Sequence, residues 1–110
     1  DDWVSLKTWT GRSSFTYRHS ADGGVVIRYG RKRQQTYTFS STDWRFMLES
    51  LAGSELSLGA TRRVAERPPD SLGHWLGHHV TATSIASYVA PILVANGQAK
   101  RIDDDLLVGT

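Results

Sequence analysis

The stretch SLGHWLGHHVTATSIASYVAPILVANG, residues 71–97, decides how this chain is read, because it holds no Asp, Glu, Lys or Arg. The uncharged run continues to Ala99. Ser71 is a good helix-capping residue, and Leu72, Trp75, Leu76 and His79 fall on one face of a short helix behind it. Val80-Thr81-Ala82-Thr83 breaks that pattern. A longer helix is expected over residues 83–96, with Ile85, Val89, Ile92, Leu93 and Asn96 sharing a face and Gly97 as its stop. Pro91 lies inside it, where a missing backbone donor kinks or shortens a helix.

Working outward, Ser41 and Thr42 are N-cap types, and Trp44, Met47, Leu48 and Leu51 recur at i, i+3, i+4 and i+7 before Gly53. Leu56-Ser57-Leu58-Gly59 reads as a short strand or connector, and Pro68-Pro69 makes 62–70 a loop. Beyond Gly97, residues 98–102 and 106–108 flank the turn-like Asp103-Asp104-Asp105 and predict a β-hairpin. Toward the N-terminus, Phe15 and Tyr17 alternate with polar neighbours, and Asp22-Gly23-Gly24 supplies a tight turn. Val25-Val26-Ile27 with Tyr29, then Thr36-Tyr37-Thr38-Phe39 after a break at Gly30-Arg31-Lys32-Arg33, complete three strands. Trp3-Val4-Ser5-Leu6 could add an edge strand. The expectation is an α+β fold in one domain, 1–110. A three-stranded antiparallel meander over 1–40 precedes a three-helix unit with a C-terminal β-hairpin over 41–110.

A chain of 110 residues that is 39% hydrophobic, with four Trp, four Tyr and three Phe, has enough apolar mass for one core, which argues against disorder. No apolar run approaches the roughly 20 residues of a membrane span, and no basic-then-apolar leader opens the chain, so a cytoplasmic protein with no membrane partner is expected. Cysteine is absent, which excludes disulfides and thiolate metal sites. The start at Asp1-Asp2 rather than Met fits an excised domain or a processed product. The net charge of +2 hides an asymmetry. Residues 1–40 carry Lys7, Arg12, Arg18, Arg28, Arg31, Lys32 and Arg33 against Asp1, Asp2 and Asp22, whereas 41–70 and 71–110 are each slightly acidic. A basic third beside an uncharged segment suggests a polyanion-facing patch; the plainer reading is solubilising surface charge.

The order of short helix, four-residue turn, longer helix ending in Gly and basic-flanked hairpin resembles a winged helix-turn-helix. Residues 71–76, 81–89, 92–97 and 98–108 carry the resemblance, with the helix over 42–52 as its supporting helix. The resemblance implies duplex DNA as partner and the helix from Thr83 as recognition helix, bringing Thr81, Thr83, Ser84, Ser87 and Tyr88 toward a groove. The chain departs from the usual pattern, because that helix presents Ser84, Ser87, Ala90, Pro91 and Val94 where Arg, Lys, Asn or Gln would read bases.

Phosphate contacts need cations. The candidates are Arg31, Lys32 and Arg33 at a hairpin tip, Arg62, Arg63 and Arg67 in a loop, and Lys100 and Arg101 on the wing. Arg31 to Arg33 beside Gly30 suit a narrow minor groove, or equally a solvated turn that blunts a sheet edge. Arg18 and Arg28, on strands, are assigned to local pairing or water. His74 and His78 have the i, i+4 spacing of a zinc pair but lack an HExxH frame, and Asp103 to Asp105 lack the spacing of a calcium loop. No nucleophile-elbow Gly-x-Ser-x-Gly occurs, so no enzyme, metal or cofactor is expected. The reading is a DNA-binding module of a larger transcription regulator or DNA-processing or defence protein. The alternative is a protein-interaction or dimerisation domain using the uncharged helix 83–96. RNA binding through Tyr17, Tyr29 and Tyr37 is a third reading without a supporting motif.

Overall fold

Alternation of apolar and polar residues builds a four-stranded antiparallel sheet, in a computed structural model that describes residues 3–109. Its strands β1 (Val4–Lys7), β2 (Ser14–His19), β3 (Val25–Tyr29) and β4 (Gln35–Phe39) follow one another in space as in sequence. The meander therefore has a fourth strand, β1, paired with β2 from Val4↔Tyr17 to Lys7↔Ser14. Phe15, Tyr17, Val25, Ile27 and Phe39 point inward and are buried, so the opposite face carries Arg18, Arg28, Thr36 and Thr38 in the open. Asp1, Asp2 and Thr110, which the charge count and the bounds of the expected domain include, lie outside the described residues.

Three helices and a second sheet make up the rest: α1 (Ser41–Leu51), β5 (Glu55–Leu56), α2 (Leu72–His79), α3 (Ala86–Ala95), β6 (Ala99–Ile102) and β7 (Asp105–Val108). The second sheet is antiparallel in the order β5-β7-β6. The class is α+β with two antiparallel sheets. Ser40, one residue before the expected caps, closes α1 by accepting the Asp43 N–H at 3.0 Å, and Ser71 does the same for α2 through His74. His79, expected on the inward face of α2, is exposed. The third helix starts at Ala86, not Thr83. Ser84 sends its hydroxyl to the Ala60 carbonyl at 2.8 Å instead of capping, and Thr81 accepts the Thr83 N–H, which holds a turn before the helix.

Helix α3 is interior. Ala86, Val89, Ala90, Ile92 and Leu93 are buried, Ser87, Tyr88, Pro91 and Val94 are half-buried, and only Ala95 is open. The N-terminal sheet covers one of its faces: the Tyr88 ring meets Phe15 edge-on at 5.2 Å and Tyr29 at 4.6 Å. Pro91 takes part in this docking. Having no N–H, it leaves the Ser87 carbonyl without its i+4 donor, and the Trp9 N–H fills that place at 3.1 Å. One hydrophobic cluster accordingly runs from Trp9 and Phe15 through Trp44 and Leu76 to Leu106 and Val108.

Candidate nucleic-acid interface

The sheet register determines which cations meet. Lys7 pairs with Ser14, and Thr16 with Arg28, so the 8–13 loop and the Gly30–Gln34 turn leave the sheet at the same end. Lys7, Arg12, Arg31, Lys32 and Arg33 collect there, and neither segment contains a carboxylate. Arg33 ties the two together by donating to the Ser14 hydroxyl at 2.8 Å. Arg31, Lys32 and Arg12 are exposed and Arg33 is half-exposed. The turn itself is a single 3-10 turn, with Arg33 N–H donating to the Gly30 carbonyl at 3.1 Å. Lys32 and Arg33 both adopt left-handed backbone, at φ 57° and 58°, which costs roughly 1–2 kcal/mol for each side chain that is not glycine. The tight loop presents Arg31 and Lys32 to solvent and turns Arg33 back toward Ser14.

The start of α3 lies at this same end, since Ser87 accepts from Trp9 in the 8–13 loop, while Asn96 at its other end accepts from Tyr17 and His19. The positive end of the helix dipole therefore adds to the basic end of the sheet. On the outer face, Arg28 and Arg18 lie over the Trp3 ring at 4.1 and 5.0 Å, a placement that leaves both guanidiniums facing solvent. Among the described residues the only ion pairs are Arg63 with Glu66 at 3.7 Å and Arg101 with Asp104 at 3.9 Å. None involves the cations of the sheet.

Comparison of this chain with protein-family models, curated proteins and solved structures finds no match. The site rests on its own geometry.

The remaining candidates divide. Arg62 and Lys100 are exposed, and Arg63 is exposed beside Glu66. Arg67 is not at the surface: it is 3% exposed, and its guanidinium donates to the carbonyls of Thr61, Gly73, Arg62 and Ala82. It is a clasp that ties the 61–67 loop to α2 and to the turn before α3. Glycines make room for it, because a Cβ at Gly77 would lie 2.9 Å from its Nη1 and 2.7 Å from Val64, and one at Gly73 would run into the Gly59 carbonyl oxygen. Arg101 is half occupied, stacking on Trp9 at 4.2 Å and donating to the carbonyls of Trp9 and Asp103, while Trp9 Nε1 donates to the Asp104 carbonyl at 2.9 Å. The β6–β7 hairpin is thereby folded against the 8–13 loop. Thr83 is exposed, but Thr81, Ser84 and Ser87 are half-buried and hold local structure. Along 83–96 only Thr83 and Ala95 are open, with Ser84, Ser87, Tyr88, Pro91, Val94 and Asn96 half-buried, so what the helix shows to solvent is a narrow strip of small and apolar side chains.

The sequence counted Lys7 and Arg12 in its basic third without placing them beside Arg31 to Arg33, and it assigned Arg18 and Arg28 to local pairing or water, not to the Trp3 ring. Strand alternation was the available signal, since Arg18 and Arg28 sit on the polar positions between Tyr17, Ile27 and Tyr29. His74 and His78 stack at 4.3 Å, as their spacing requires, and among the described residues no three His, Cys, Asp or Glu are grouped to hold a metal ion. No described helix is long and apolar enough to cross a membrane.

Proposed function

We propose that this chain is a DNA-binding module that grips the phosphate backbone of duplex DNA with the basic end of its N-terminal sheet. The observation that carries the reading is the convergence of Lys7, Arg12, Arg31, Lys32 and Arg33 on one end of the sheet, in two loops without a carboxylate. Phosphate neutralisation supplies most non-specific affinity for a duplex, and among the described residues none of these five cations is tied up in an ion pair. The order α1–β5–α2–α3–β6–β7, with β7 central in its sheet, supports a winged-helix arrangement for residues 41–108. In this reading that unit is a scaffold: its third helix seats the sheet, and the sheet meets DNA. Helix α3 contributes its N-terminal dipole and no base contacts, so binding is expected to depend weakly on sequence. Arg31 to Arg33 would follow the minor groove.

A titration of fluorescent random duplex by anisotropy tests this. Affinity should fall steeply with salt, and changing Arg31, Lys32 and Arg33 together to Ala should lower the slope of log K against log salt by about 2 to 3. Absence of binding at low ionic strength, or an unchanged slope in the triple variant, would sink the reading. A protein-contact reading has a separate observation in its favour: Phe46, 45% exposed, lies 5.4 Å from Trp75 and 5.9 Å from His79 on the surface shared by α1 and α2.

A further inference from the structure

Where the 8–13 loop, the Gly30–Arg33 turn and α3 meet, the surface sinks into a cavity of about 520 Å³. Ser13, Ser14, the turn with its three cations and Tyr88 line it. That volume is within the roughly 300–1,000 Å³ of small-molecule sites. No carboxylate lines it, so cationic ligands are disfavoured. Two hydroxyls and three cations favour phosphate oxygens, which accept hydrogen bonds and carry charge.

Tyr88 makes the cavity more than an anion site. Its ring leans on Tyr29 at 4.6 Å and meets Phe15 edge-on at 5.2 Å, so the part of it that lines the cavity is held in place at little further cost in conformational freedom. Burial, with Tyr29 beside it, raises the pKa of its hydroxyl, which stays protonated at neutral pH as a donor. A ligand that satisfies both features carries a phosphate and a flat ring together.

We propose that this cavity takes one unpaired nucleotide of a DNA strand, with its phosphate on Arg31 to Arg33 and its base against Tyr88. The inference rests on the DNA-binding reading and goes further, to the kind of DNA. A base stacked within a duplex cannot enter, whereas one at a strand end or already unpaired can, and stacking on an aromatic ring tolerates any base. The module would then favour duplex ends with a protruding nucleotide over continuous duplex.

Two measurements separate this from the duplex reading. In ¹H–¹⁵N spectra with aromatic detection, deoxyadenosine monophosphate should shift the Gly30 to Arg33 amides together with the Tyr88 ring. Inorganic phosphate should bind about tenfold more weakly and leave the ring unmoved. A silent Tyr88, or equal affinity for phosphate alone, overturns the nucleotide assignment. By anisotropy, a duplex with a single-nucleotide overhang should bind about tenfold tighter than its blunt counterpart. Equal binding of both duplexes by the unaltered chain overturns the pocket while the duplex reading stands. A Tyr88 response to the mononucleotide with no blunt-duplex binding supports the pocket and overturns the duplex reading.

Discussion

In the N-terminal sheet, Arg18 and Arg28 lie on an open face over Trp3, and Arg31 and Lys32 stand exposed on a strained turn. In the helical half, Arg67 is drawn inside to serve four carbonyls, and Arg101 is folded back on Trp9. The same residue type is solvent-facing in one half and architectural in the other. Local backbone demand accounts for the difference. In the sheet, strand ladders already satisfy the carbonyls, so the cations of the outer face are left for solvent or a partner. In the 61–73 region the chain turns without a ladder, and a guanidinium with five donors gathers four carbonyls, of which that of Gly73 is buried.

Substitutions can break that contrast, and the largest effect is expected at Arg67. Arg67→Ala should cost about 3 kcal/mol or more, because it strands several carbonyls under α2. Thermal unfolding should fall by roughly 10 °C or more, whereas the triple Ala variant at Arg31, Lys32 and Arg33 should melt within a few degrees of the parent. Comparable losses in both variants would erase the distinction. Arg101→Ala should come next, at about 1–2 kcal/mol, since it removes the Trp9 stack and two hydrogen bonds at a half-exposed site. A lowered denaturation midpoint would confirm the hairpin clasp, and an unchanged midpoint would refute it. Pro91→Ala should act least on stability, within about 1 kcal/mol, but it restores a donor that competes for the Ser87 carbonyl. Hydrogen exchange at the Trp9 amide should speed up several-fold; unchanged protection would show that Trp9 owes nothing to the proline.

The local rules were legible along much of the chain. Alternation around Phe15 and Tyr17, the stripe at Trp44, Met47 and Leu51, the cap at Ser71 and the hairpin around Asp103 all correspond to elements in place. The edge strand expected around Val4 is in place as β1, whereas the same rules stumbled at Ser84, whose hydroxyl has a long-range partner. The candidate site was half visible. Arg31, Lys32 and Arg33 were noticed as a triplet, but their neighbours Lys7 and Arg12 are brought to them only by strand pairing.

The uncharged run from Ser71 to Ala99 carried the decisive ambiguity. Sequence by itself determined that it would form helices with apolar faces, and that the basic excess would lie in the first forty residues. Whether α3 was a surface or an interior element depended on what packed against its second face. Tertiary structure decided that: the sheet docks through Trp9, Phe15, Tyr29 and Tyr88 and leaves the helix only a narrow, half-buried strip toward solvent. A helix without charge is compatible with an interface or with a core, and periodicity is blind to the difference. Only the contact between distant segments resolves it, because burial is a property of the pair and not of either sequence.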